Sequence, residues 1–176
     1  MNNVKNLIEQ MNENHLNQMS GFWQVAVEDY MTTLELYTDD VGVMVFLHNS
    51  PDDESMQISF GKFEQEDRHN MFKHLGLVSE MMKADVMVMC FMGWLIDLDQ
   101  WHKDRKEFGY RWIEEHPDRK EVAQVSLYTK DKQLQFTAPV LRNKKGKAKV
   151  GDWNHSILDL SPEKRSQSNF ANIINY

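Results

Sequence analysis

The amino-acid sequence predicts a single α+β domain in which helices pack on a mixed, mainly antiparallel sheet of five or six strands. Its length and composition fit one globular domain, since the chain has 176 residues, of which 41% are hydrophobic and 27% are charged. The segment 86–96 is apolar on both of its alternating faces, which is typical of a strand covered on both sides at the centre of a sheet. Around it, segments with the apolar spacing of helices can be told apart from segments with the alternation of strands.

We expect one domain over 1–176, with N-terminal helices over 1–40 and a sheet core over 41–153. The remaining residues, 154–176, are expected to form a C-terminal tail or a short helix. Such a helix begins at the cap Ser161-Pro162-Glu163 and reaches Ile174. No repeat or linker suggests a second domain.

Helices are predicted where apolar residues recur every three or four positions. The first covers 2–18 and ends at Ser20-Gly21, and the second ends near Asp39-Asp40. The core side of this second helix is expected to consist of Trp23, Val27, Tyr30 and Leu34. The third helix covers 66–83, where we expect Asp67 to cap the first turn. Its core stripe is Met71, Leu75, Val78 and Met82.

Strands are predicted over 41–48, 56–60, 86–96, 121–129, 133–141 and 147–153. The first two form a hairpin, because the residues between them, NSPDDE, are typical of a turn. Pro139 has no N–H group to donate to a neighbouring strand, so its strand is expected to lie near an edge or to carry a bulge. In the central strand we expect Met92 and Trp94 to be buried together with Cys90.

Several features favour a soluble protein of a reducing compartment. Cys90 is the only cysteine, which excludes an intrachain disulfide. The N-terminus does not match a signal peptide, and the longest uncharged apolar run is too short to span a bilayer. We therefore expect a cytoplasmic protein (of the host cytoplasm if the chain is phage-encoded) that has no membrane partner.

The triplet His116-Pro117-Asp118 matches the loop by which J-domain co-chaperones engage Hsp70. In a J-domain this loop joins two antiparallel helices. Here the residues after Arg119 alternate as in a strand, and no J-domain helix can be recognised upstream. We interpret the triplet as a polar loop that leads into a strand, and we expect no stimulation of Hsp70.

Weaker patterns are spread over residues 41–152: Met44-Val45-Phe46, the helix after Asp67, Gly93-Trp94, the segment from His116 to Glu121, and the segment from Ala138 to Arg142. In these the chain resembles a family of short uncharacterised α+β proteins from bacteria and tailed phages. The resemblance implies the fold and no activity, substrate or cofactor. The connection between Asp97 and Glu115 is longer and more aromatic than the family leads us to expect.

Three residues after the central strand form a candidate metal site, because strand ends often carry the sites of α/β sheets. Asp97 and Asp99 could hold a divalent ion together with His102, although acids at strand ends are more commonly solvated. No Gly-rich phosphate loop and no nucleophile elbow can be recognised. We therefore predict no catalytic residues and no cofactor.

Two surfaces are candidate contact sites. A predicted loop around Gly146 is strongly basic and could meet an anionic partner, although such a loop is usually just solvated. Its cations are Arg142, Lys144, Lys145, Lys147 and Lys149. The other surface is aromatic and is formed by Trp101, Phe108 and Trp112. Their spacing favours a helix that covers the sheet, but whether 98–115 is a helix or a loop is left open. Only an outward-facing arrangement makes these aromatics a partner surface.

The leading hypothesis for function is a non-enzymatic binding or accessory protein with a protein partner or self-association. A phage-encoded protein that acts on a host component is one form of this hypothesis. The net charge of −7 argues against tight nucleic-acid binding. The alternative is a small metal-dependent enzyme with acids at the exit of the central strand.

Overall fold

The computed structural model describes residues 20–36, 42–61, 67–130 and 132–159. These residues form helices α1 (Ser20–Leu36), α2 (Arg68–Met82) and α3 (Leu98–Phe108), and a 3₁₀ turn, Ile113–Glu115. The strands are β1 (Val43–Asn49), β2 (Glu54–Phe60), β3 (Val86–Leu95), β4 (Lys120–Tyr128), β5 (Lys132–Arg142), β6 (Ala148–Val150) and β7 (Asn154–Asp159). The predicted helices over 2–18 and 161–174 lie outside the described residues. Across the described ranges, no helix is long and apolar enough to cross a membrane.

The strands form one sheet in the order β2-β1-β3-β4-β5-β6, with β7 pairing with β5 as well. Every pairing of the described strands is antiparallel. The α+β class and the hairpin of β1 and β2 are confirmed. The described sheet has seven strands rather than five or six, because residues 154–159 form β7 and not a tail or helix. Ile157 lies opposite Leu134 and His155 opposite Phe136, so long-range pairing with β5 makes this segment a strand.

Pro139 lies in β5, which is separated from the edge of the described sheet only by β6 and β7, so the expectation of a position near an edge is confirmed. No bulge is present, since the register between β4 and β5 runs without interruption as far as Pro139. On the other side of β5 the neighbour changes, because β7 ends opposite Thr137 and β6 begins opposite Val140. Pro139 falls in this gap, where a missing N–H group is tolerated.

Among the described residues, one helix covers each face of the sheet. Helix α1 packs against β1, β3 and β6, whereas α2 packs against β1. Successive side chains of β3 therefore enter different clusters: Val88 and Cys90 lie with α1, and Met87 and Met89 lie with α2. A strand buried on both faces has no polar side, which explains the continuous apolar sequence.

The helical stripes are largely confirmed. Val27, Tyr30 and Leu34 of α1 are fully or almost fully buried, as are Met71 and Leu75 of α2. Val78 and Met82 are half-buried and pack against the same cluster. Asp67 occupies the N-cap position of α2, but its side chain makes no capping hydrogen bond, so the predicted cap is wrong.

The far end of β3 is less covered than predicted. Cys90 is fully buried, but Met92 and Trp94 are only half-buried, and Leu95 is 46% exposed. Trp94 is partly covered by the guanidinium group of Arg119, which lies 4.6 Å from the ring centroid. The less buried end of β3 therefore contacts the chain that leads into β4, through the pair of Trp94 and Arg119.

Cys90 is expected to react slowly with thiol reagents in the native protein. Burial, and after it the charge of Asp29, raises the pKa of the thiol well above its ordinary value. The reactive thiolate is therefore scarce as well as inaccessible. Labelling should become fast only in denaturant. Rapid labelling without denaturant would contradict the position of Cys90 in the core.

Candidate functional site

The connection between β3 and β4 combines a helix and a loop, which answers the question left open for 98–115. Helix α3 ends at Phe108 because Gly109 adopts a left-handed conformation, with φ of 75°, and donates its N–H to the carbonyl of Arg105 at 3.0 Å. An extended stretch and the 3₁₀ turn then lead to the triplet His116-Pro117-Asp118. Phe108 and Trp112 therefore do not share one helix, although their spacing suggested it.

His116 is the buried anchor of this connection, with 1% of its surface exposed. Its Nδ1 accepts the backbone N–H of Asp118 at 3.1 Å. Nε2 must therefore carry the ring proton of the neutral imidazole, and it donates to Oδ2 of Asp104 at 2.9 Å. Both ring nitrogens are engaged within the protein, so His116 ties its loop to α3 and has no free nitrogen with which to act as a base.

Contacts around His116 fasten α3 to the loop. The ring lies against Tyr110 and Trp101, with centroid distances of 5.1 Å and 6.4 Å. A second hydrogen bond joins the same two segments, because Nε2 of Gln100 donates to Oδ2 of Asp118 at 2.8 Å. The residues after this loop form β4, so the J-domain interpretation is excluded, as expected.

Two aromatic side chains point outward from this scaffold. Phe108 is 61% exposed and Trp112 is 49% exposed, and we call them together the aromatic surface. The backbone beneath Trp112 is held by the carboxylate of Glu115, which accepts the N–H of Arg111 at 2.8 Å and that of Trp112 at 3.4 Å. Trp101 was predicted to belong to this surface, but it is only 8% exposed and packs inward against His116.

The three candidate metal ligands have separate positions on and before α3. Asp97 is the N-cap of this helix, and its Oδ1 accepts the N–H of Gln100 at 3.0 Å. Asp99 lies in the first turn, where the helix dipole favours an acid, and His102 is exposed on the helix. Within the described ranges, no group of three or more His, Cys, Asp or Glu residues is placed to hold a metal ion.

The basic loop joins β5 to β6. Asn143 organises it, since its carbonyl accepts the N–H of Gly146 at 2.9 Å and its Oδ1 accepts the N–H groups of Lys145 and Lys147 at 2.8 and 3.1 Å. Gly146 adopts φ of 80°, as this type of hairpin loop requires. Four exposed lysines surround it: Lys144, Lys145, Lys147 and Lys149.

Arg142 does not join these lysines as a free cation. Its Nε and Nη2 donate to the two carboxylate oxygens of Glu121, at 2.8 and 2.6 Å, and its Nη1 donates to the carbonyl of Gly146 at 3.0 Å. A bidentate pair of this kind satisfies both charges. The predicted anion-contact surface is therefore reduced to the four lysines.

We expect nucleic acid to bind these lysines weakly. Each phosphate contact adds roughly 0.7–0.9 to the salt slope of binding, while the net charge of −7 opposes approach. In gel shifts over a salt series, any complex should vanish near physiological salt. Replacing the four lysines with glutamine should leave folding intact. Sub-micromolar, lysine-dependent binding at about 150 mM salt would contradict this expectation.

The anchor of the site was not predicted. Asp104 and His116 lie 12 positions apart, and no periodicity in the sequence relates them. The triplet that contains His116 matches only the J-domain motif, which is unrelated to this contact. No family model, curated protein or solved structure matches the chain. The resemblance to bacterial and phage proteins therefore stays a prediction.

Proposed function

We propose that the chain is a non-enzymatic binding protein that contacts another protein through the aromatic surface, Phe108 and Trp112. The observation that carries the proposal is that these side chains are 61% and 49% exposed. The connection that bears them is fixed by the buried hydrogen bond between His116 and Asp104. The ring of Phe108 lies 5.9 Å from that of Tyr110, and Trp112 follows two residues later in the same connection. Large exposed aromatics concentrated in one segment are typical of a surface that a partner covers.

The arrangement suits a contact site because little order has to be gained on binding. Trp112 and Phe108 supply a large apolar area with few rotatable bonds, and tryptophan is among the residues that dominate interface energies. The hydrogen bond between Asp104 and His116 and the cap at Glu115 fix the backbone on either side. A preorganised surface loses less entropy when its partner docks.

Charged neighbours give the aromatic surface the rim of a transient protein contact. Lys106, Glu107, Arg111 and Glu114 are all exposed, and they include both signs of charge. A mixed polar rim around an aromatic centre is the ordinary anatomy of a protein interface. It is less suited to nucleic acid, which favours a surface of one positive sign.

Affinity capture tests this proposal with matched variants. The tagged wild type, a Phe108→Ser/Trp112→Ser variant and a control Val25→Ser/Leu77→Ser variant are incubated with a bacterial lysate, the source that the sequence resemblance suggests. Val25 and Leu77 are 64% and 51% exposed on the other two helices, so the control removes a similar apolar exposure elsewhere. Wild type and control should retain the same partner, and the aromatic variant should lose it.

The expected loss of affinity is large, since truncating a central aromatic contact commonly costs about 2 kcal/mol or more, close to thirtyfold. Titration of the identified partner against all three proteins measures it. The proposal would be contradicted if the aromatic variant bound the partner as tightly as the wild type. It would also be contradicted if the aromatic variant and the control variant both failed to capture the partner.

A further inference from the structure

The outer edge of β2 is a second contact site, and we infer that it pairs with β2 of another copy of this chain to form a symmetric dimer. In the described part of the chain, β2 pairs with β1 alone and ends the sheet on that side. An open strand edge presents backbone donors and acceptors that can pair with a further strand. This surface is distinct from the aromatic surface, so the two proposals stand or fall separately.

Strand β2 lacks the features that usually protect such an edge. Its sequence, ESMQISF, contains no lysine and no proline, and its one charge is at the first residue. The register with β1 runs through seven consecutive pairs, from Asn49 opposite Glu54 to Val43 opposite Phe60, so no bulge twists the edge away. The strand is also long and regular enough to offer several hydrogen bonds to a neighbour.

The sequence of β2 is complementary to itself when reversed. A two-fold axis perpendicular to the sheet keeps each face on its own side, so one residue must lie opposite its own copy. With Gln57 on the axis, Met56 lies opposite Ile58 of the second copy and Ser55 lies opposite Ser59. The four residues that flank the axis therefore match, apolar with apolar and hydroxyl with hydroxyl, and no like charges are opposed. At the ends of the paired strands, Glu54 lies opposite Phe60.

The two faces of β2 fit this pairing. Met56 and Ile58 lie on the α2 side, opposite Leu47 and Val45 of β1. Met56 is still 42% exposed, because nothing described lies beyond it. A second copy would place Ile58 beside it and extend the apolar face across the axis. On the α1 side, Nε2 of Gln57 is held by Oδ2 of Asp29 at 2.9 Å, which orients the residue on the axis.

The opposite end of the sheet does not offer the same match. There the edge is divided between β6, which is three residues long, and β7, which is six. With Ser156 of β7 on an axis, His155 would lie opposite Ile157, so the pairs directly beside the axis would be polar against apolar. In β2 the pairs beside the axis are apolar on both sides, and the mixed pair of Glu54 with Phe60 lies at the strand ends. Self-pairing is therefore assigned to β2 and not to β7.

Sedimentation equilibrium over a range of concentrations tests the dimer. Met56→Lys should raise the dimer dissociation constant by about tenfold or more, because both copies lose an apolar cross-strand pair and gain a cation. The matched control is Ile157→Lys, since Ile157 is also 42% exposed but lies on β7. It should leave the dissociation constant unchanged. Circular dichroism checks that each variant is folded.

Cross-linking tests the register independently. Gln57→Cys places two thiols opposite each other at the axis, so a short bis-maleimide should join two copies rapidly. Ser156→Cys on β7 should react without forming a covalent dimer, and Cys90 is buried and does not interfere. A wild type that stays monomeric at all concentrations, or equal cross-linking of the two variants, would overturn the inference.

Discussion

Replacing His116 with alanine is expected to lower the free energy of unfolding by about 2–4 kcal/mol. The change leaves both hydrogen-bond partners of the ring unsatisfied: the side chain of Asp104, which is only 17% exposed, and the backbone N–H of Asp118. It also leaves a cavity beside Trp101 and Tyr110. Urea denaturation followed by circular dichroism measures the loss.

Two controls show whether the loss arises from the anchor. His102→Ala removes an exposed histidine from α3 and should change the free energy of unfolding by less than about 0.5 kcal/mol. In a double-mutant cycle, His116→Ala and Asp104→Ala should cost less together than the sum of their separate effects, because they remove the same hydrogen bond. A His116→Ala variant as stable as the wild type would show that this bond does not hold the connection.

Phe136→Ala is expected to lower the free energy of unfolding by about 3–5 kcal/mol. Phe136 is fully buried near the middle of β5, where it lies opposite Val125 of β4 and His155 of β7. Its loss leaves a cavity between the sheet and α1 that the strands on both sides keep from collapsing. Thermal and urea unfolding measure the change.

The matched control for this substitution is Phe108→Ala, which removes the same side chain from a position that is 61% exposed. It should cost less than about 1 kcal/mol. Equal losses for the two variants would contradict either the burial of Phe136 or the exposure of Phe108.

Most of the fold could be predicted because burial leaves a periodic pattern in the sequence. β3 is apolar on both faces because α1 and α2 cover both, and the stripe of Val27, Tyr30 and Leu34 follows from packing one side of α1 on the sheet. The hairpin of β1 and β2 was visible because its turn is local. Periodicity therefore predicts an element wherever the element meets the core along most of its length.

The remaining features depend on contacts between distant residues. β7 is a strand because it lies beside β5, and Arg142 is neutralised by Glu121, which is 21 positions away in the chain. In the connection, the spacing of Trp101, Phe108 and Trp112 suggested one helix. The left-handed Gly109 separates them, so Trp101 is buried and the other two face outward.

Hydroxyl-radical footprinting of the captured complex tests most directly whether the aromatic surface is the contact site. We predict that oxidation of Phe108 and Trp112 decreases strongly in the complex. Oxidation of Met81, which is 84% exposed on α2, should stay unchanged and serves as the internal control. Unchanged oxidation of Phe108 and Trp112 in a stable complex would contradict the account, because the partner would then bind elsewhere.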